Sequence, residues 1–180
     1  MSPVVPPYAG RRTWGNPWLG TLARLVLAAV LLYAGLAKLF APQGARDAIL
    51  AYRIFPASWA DALGWGLPVL EVLLGIALLA GLFTRLAAAV TAVLMIGFVA
   101  GIVSVWVRGY SIDCGCFGGG GDVATDGLVW RYTSEIARDL LFLGLACWLV
   151  AWPRTRLSLA GPGQPVTGEP AAEHAEAVSA

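Results

Sequence analysis

From Leu86 to Val107 the chain carries no charged residue. A stretch of that length and character must hide from water, and a lipid bilayer hides about 20 helical residues at once. Three further apolar segments repeat the pattern. One runs from about Trp18 to Ala41 and is interrupted by Arg24 and Lys38. A second runs from about Ala62 to Phe83 and carries Pro68 and Glu71. The last, from about Thr133 to Trp152, is charged through Glu135, Arg138 and Asp139. Of the 180 residues, 58% are hydrophobic and 13% charged, whereas soluble domains hold about 45–50% apolar and about 25% charged residues. A soluble fold of this size would leave large apolar patches exposed. Tryptophans 18, 59, 65, 106, 130 and 152 stand near segment ends, where interfacial anchors belong. An outer-membrane barrel would instead alternate apolar and polar residues over short strands. The expected fold is all-α: an integral membrane four-helix bundle in up-down order over residues 18–152, with spans at about 18–41, 62–83, 86–107 and 133–152.

The connections differ in length. Phe83-Thr84-Arg85 makes a tight link, residues 42–61 a longer loop with Pro42 and Pro56, and residues 108–132 the longest, with Cys114, Cys116 and four glycines from Gly118 to Gly121. Residues 1–17, with four prolines, and 153–180, rich in Pro, Gly, Ala and Glu from residue 160 on, read as disordered tails. The first segment reads as a retained span, because the residues before Arg24 make too long a leader for a cleaved signal peptide. Orientation by positive charge is tied. Arg11, Arg12, Arg85, Arg154 and Arg156 stand against Lys38, Arg46, Arg53, Arg108 and Arg131. Arg24 and the acidic C-terminal residues favour cytoplasmic termini in a bacterial inner membrane, which places both longer loops outside the cytoplasm.

Several chemistries lack their residues. A net charge of +1 gives no field to recruit nucleic acid. The one histidine, His174, lies in the C-terminal tail, so a bis-histidine haem, a histidine zinc site and a Cys-His or Ser-His pair are all without their imidazole. Three cysteines remain. Cys114 and Cys116 are separated only by Gly115, which permits backbone angles closed to other residues. A ring that small gains little entropy and stores strain, so its disulfide should exchange readily. A static loop staple and a two-thiolate copper(I) site are the alternatives; thiol–disulfide exchange is the favoured reading. Cys147, between Ala146 and Trp148, reads as a packed small hydrophobe. The glycines after the pair read as a hinge.

Charges within spans are costly and mark functional interiors. Up-down order brings Lys38, Arg138, Asp139 and the thiols towards one face. Glu71 lies too deep to reach the interface and calls for an internal partner, Arg24 or Lys38. A cation beside the thiols would favour thiolate, and Asp113 would oppose it.

Arg24 with Ala34-Gly35-Leu36-Ala37-Lys38-Leu39, Glu71-Val72-Leu73-Leu74-Gly75, Gly81-Leu82-Phe83-Thr84-Arg85, Asp113-Cys114-Gly115-Cys116-Phe117-Gly118 and Arg138-Asp139 occur in this order. In that order the chain resembles the DoxX-like superfamily, and within it the MauE-type branch of methylamine-utilisation membrane proteins. The resemblance implies a redox-associated four-helix membrane protein that supports maturation of an exported, disulfide-rich methylamine dehydrogenase. Carried over, Cys114 and Cys116 are the redox pair, exchanging with an extracytoplasmic thioredoxin-like carrier or an exported client protein. Lys38, Glu71, Arg138 and Asp139 form a supporting charge network, and a quinone is the implied electron acceptor. The alternative is a non-thiol membrane subunit of a quinone-linked oxidoreductase complex. A small-solute transporter fits less well, because the four spans lack broken, paired helices.

Overall fold

A computed structural model describes residues 17–153 apart from Gly118. Nearly all of both expected tails, with His174 and the four arginines of the termini, lies outside the described residues. The described residues form five helices and one short ribbon: α1 (Pro17–Phe40), α2 (Pro42–Tyr52), α3 (Ala57–Ala80), α4 (Thr84–Val107), β1 (Ile112–Asp113), β2 (Gly121–Asp122) and α5 (Leu128–Ala151).

The four long helices close a ring. α1 packs against α3 and α5, and α4 against α3 and α5. Leu27, Leu31, Leu74, Leu78, Ala88 and Leu149 meet along its axis. The outside is equally apolar: Leu22, Leu73, Leu79, Leu86, Val93 and Leu141 are each more than half exposed. Such a surface suits lipid rather than water. α1 from Trp18, α3 and α4 are long and apolar enough to cross a membrane. α5 matches α3 and α4 in length, but its first half carries Arg131, Glu135, Arg138 and Asp139, so it is a fourth long helix with a polar beginning.

The structure corrects two boundaries. The 42–61 segment is largely helical, because its prolines start helices rather than break them. Pro42 occupies the first turn of α2 and Pro56 caps α3, positions where a missing N–H costs nothing. α5 begins at Leu128, before the expected Thr133, after Gly127 in the left-handed conformation. Gly81, with φ of 72°, ends α3 and donates back to the carbonyls of Ala77 and Leu78, an αL stop.

The α1–α3 crossing explains two of the sequence motifs. A Cβ on Gly35 would stand 2.8 Å from Val72 Cγ2 and 2.9 Å from the Pro68 carbonyl, and one on Gly75 would stand 2.7 Å from Leu32 Cγ. Small residues let membrane helices approach this closely. Gly75→Leu should destabilise the bundle by about 1–3 kcal/mol through overpacking. Gly144→Ala, with open space around it, should leave stability unchanged. Thermal unfolding in detergent compares the two, and equal midpoints would refute the close-packing account.

Candidate functional site

The end of the bundle where α1 and α4 finish and α3 and α5 begin is covered by α2 and by the loop between α4 and α5. The loop is pinned rather than free. β1 and β2 pair antiparallel, Ile112 opposite Asp122 and Asp113 opposite Gly121. Ile112 N–H donates to the buried Tyr132 hydroxyl at 2.9 Å, and that hydroxyl donates to the Tyr110 carbonyl at 2.9 Å. Tyr52 of α2 donates to the Cys114 carbonyl at 3.3 Å. Burial pushes the Tyr52 pKa up, so it stays a neutral donor.

Asp113 shapes the turn that carries the thiols. Its Oδ1 accepts the Gly115 N–H at 2.9 Å, and its Oδ2 pairs with Arg131 at 2.7 Å. The charge that the sequence reading set against thiolate is therefore partly neutralised. Gly115 has φ of 70°, and a Cβ there would lie 2.5 Å from the Ala48 Cβ, so both conformation and space demand glycine. Within the glycine run, Gly119 and Gly120 are closely packed rather than free to hinge. A Cβ on Gly120 would collide with the Gly44 carbonyl, and one on Gly119 would meet the Asp113 carboxylate at 2.9 Å. Gly118 of the run lies outside the described residues.

The two thiols differ. Cys114 is half-buried and Cys116 buried, and Cys116 N–H donates to Cys114 Sγ at 3.4 Å. Hydrogen bonding of the Cys116 thiol with Cys114, its burial, and negative charge at Cys114 and Asp139 push Cys116 well above the ordinary thiol range. Arg138 pulls the other way. Cys116 is thus held protonated at neutral pH, while Cys114 holds the more open place. Cys147 is exposed on α5, contrary to the expected core packing. It stands one residue from fully buried Ala146, about 100° further round the helix, which turns it towards lipid.

The charges form two buried centres. Lys38 Nζ lies 2.6 and 2.8 Å from the two Glu71 oxygens, with side chains 8% and 1% exposed. This is one of the two partners expected for Glu71. Arg138 Nε donates to Asp139 Oδ1 at 2.9 Å, and its guanidinium stacks 4.6 Å from the Phe117 ring, which also meets Tyr33 of α1 at 5.6 Å. Phe117, next to Cys116, thereby ties the thiol loop to α1 and α5.

A cavity of about 420 Å³ is lined by both Lys38 and Cys114. Its wall includes Lys38, Cys114, Tyr52, Leu67, Pro68 and Phe98. It also includes Ile54 and Val93, which are exposed on the outside of the bundle, so the cavity opens on that surface.

Residues 16–152 match the family described as methylamine utilisation protein MauE. The chain belongs to the MauE family. No curated protein and no solved structure gives a significant match. In this MauE chain the match takes in every helix and the thiol loop, and the fold is that of a multi-pass membrane protein linked to methylamine utilisation. The structure brings Cys114, Cys116, Arg138 and Asp139 together, and places Lys38, paired with Glu71, on the wall of the cavity that Cys114 also lines. Sequence reasoning missed α2, which supplies Tyr52. It also read Glu135 only as a charge in a span, whereas its Oε2 is buried without a hydrogen-bond partner among the described residues. The available signal was spacing: Glu135, Arg138 and Asp139 fall at i, i+3 and i+4, one helical face.

Proposed function

We propose that this protein exchanges thiols and disulfides through Cys114 and Cys116, on the extracytoplasmic side of a bacterial inner membrane with both termini in the cytoplasm. In this reading it supports disulfide formation in exported proteins of the methylamine dehydrogenase kind. The observation that carries the reading is the asymmetry of the pair. Cys114 is the more open thiol, beside a cavity, and Cys116 is buried behind it and kept protonated. That is the arrangement of an attacking and a resolving thiol. Cys114 forms a mixed disulfide with a thioredoxin-like carrier or client, and Cys116 then closes the ring and expels the bound thiol. Lys38, Glu71, Arg138 and Asp139 set the field around this exchange.

The cavity residues suit a quinone: the lining is almost wholly apolar, with Lys38 as a hydrogen-bond donor and Cys114 at the wall. A quinone supplies a two-electron, two-proton sink. Lys38 would hold one of its carbonyl oxygens, and the apolar wall would exclude water from it.

The test uses the reduced protein in detergent with a small aromatic disulfide. Two equivalents of aromatic thiol should be released for each Cys114–Cys116 pair, leaving a ring disulfide. A stable adduct with one equivalent released, or no reaction, would refute the exchange reading.

A further inference from the structure

The cavity beside Cys114 opens towards lipid rather than water. One rim of the opening runs along α4, where Val93, Gly97 and Ala100, spaced i, i+4 and i+7, are exposed and line the cavity. α3 contributes the half-buried Leu63 and Leu67. Val93 is 68% exposed and stands nine residues after Thr84, about 14 Å along a helix of about 36 Å. In a span of that length this is the depth of the hydrocarbon core. Close packing gives no reason for glycine at position 97. A Cβ there would meet nothing within 4 Å, whereas one on Gly101, a turn further on, would press on the Tyr52 ring at 3.0 Å. A mid-helix glycine is a cost to folding, and at Gly97 it leaves the opening unobstructed.

The wall also selects what fits inside. Its one charged residue among those described, Lys38, is neutralised by Glu71, so a charged guest would find no counter-charge. An ammonium has three N–H donors. The Glu71 oxygens take two of them, at 2.6 and 2.8 Å, which leaves one for an acceptor in the cavity. The Tyr52 hydroxyl is already engaged by the Cys114 carbonyl.

We propose that Cys114 has a second approach, from within the bilayer: an uncharged quinone with a hydrocarbon tail enters between α3 and α4 over Gly97, sets one carbonyl against Lys38, and shares the cavity wall with Cys114. Water-borne partners approach Cys114 over the loop instead. The route of entry is independent of the thiol-exchange reading, and only the electron transfer rests on it. In that transfer the Cys114 and Cys116 thiols give up two electrons and two protons, an S–S bond forms between them, and the hydroquinone departs.

The test separates entry from chemistry. The full chain with Cys116→Ser and Cys147→Ala keeps Cys114 as its sole thiol and is reduced and placed in phosphatidylcholine vesicles. Labelling of Cys114 is timed with two maleimides, one with a long alkyl chain that partitions into the bilayer, the other sulfonated and confined to water. Gly97→Phe should slow the alkyl reagent by about tenfold, the effect of a small added barrier, and leave the sulfonated one unchanged. Gly144→Phe, beside the groove between α1 and α5, should slow neither, and thermal unfolding checks that each variant folds. A fully substituted, prenyl-tailed quinone, which cannot add to thiols, should protect Cys114 of the parent from the alkyl reagent. It should not protect the double variant Lys38→Met with Glu71→Leu, and a prenyl alcohol of equal length should protect neither. The proposal is overturned if Gly97→Phe slows neither reagent or both alike, or if protection survives the loss of Lys38 or is matched by the alcohol. Each of those results leaves thiol exchange standing, because alkylation needs only a free thiol. Exchange falls separately, if the reduced pair fails to react with the aromatic disulfide.

Discussion

Cys116→Ser should accumulate a mixed disulfide between Cys114 and its partner, whereas Cys114→Ser should capture nothing. The expectation follows from the different burial of the two sulfurs. Cys114 borders the cavity, whereas Cys116 is 7% exposed and its backbone N–H points at Cys114 Sγ. A partner disulfide therefore meets Cys114 first, and only Cys116 is placed to release it. Removing the resolving thiol stalls the reaction after the first bond has formed. Removing the attacking thiol prevents any bond, because a serine hydroxyl is not ionised at neutral pH and does not exchange with disulfides. Non-reducing gels of membranes from cells expressing each variant read the outcome directly. Equal capture by both variants would mean that the sulfurs are interchangeable and that the asymmetry carries no mechanism.

The second large effect concerns the Lys38–Glu71 pair. Both side chains are almost fully buried, and the ion pair at 2.6 Å satisfies each charge with the other. Lys38→Met leaves Glu71 buried and unpaired, and Glu71→Leu does the same to Lys38. Either single change should cost about 3–5 kcal/mol. The double variant Lys38→Met with Glu71→Leu removes both charges together and should regain most of that stability, because apolar residues of similar volume replace a buried pair at little cost. Thermal unfolding in detergent measures the cycle. A double variant as unstable as the two singles combined would contradict the pairing. The stable double variant then shows what the pair contributes beyond folding. With the cavity-side donor Lys38 gone, reoxidation of the Cys114–Cys116 dithiol by a soluble quinone should fall, while exchange with a small disulfide should persist.

The membrane bundle was legible because lipid demands long apolar helices, and the uncharged run from Leu86 to Val107 leaves no other reading. The need for an internal partner to Glu71 was legible for the same reason, since a carboxylate at that depth must be paired. The choice of Lys38 over Arg24 was not, because it depends on how closely α1 and α3 cross. Gly35 and Gly75 set that approach, and a glycine motif does not announce its partner. α2 escaped notice because residues 42–61 read as a loop containing Pro42, although Pro42 stands in a helix's first turn. The thiol pair stood out by spacing, but its asymmetry did not. The loop sits on Ala48 and Tyr52, and the charge of Asp139 helps hold Cys116 protonated; these residues are distant in sequence. Cys147 was misplaced for a different reason. In lipid an exposed position is as apolar as a buried one, so hydrophobicity no longer distinguishes inside from outside.

The central claim is that Cys114 and Cys116 cycle on the outer face of the membrane, and a membrane-impermeant thiol reagent applied to intact cells tests it most directly. With Cys147→Ala removing the third thiol, the pair should resist labelling as isolated, label after brief reduction from outside, and become resistant again once the reductant is washed away. Thiols labelled only after the cells are opened, or a pair fixed in one state through reduction and washing, would contradict the account.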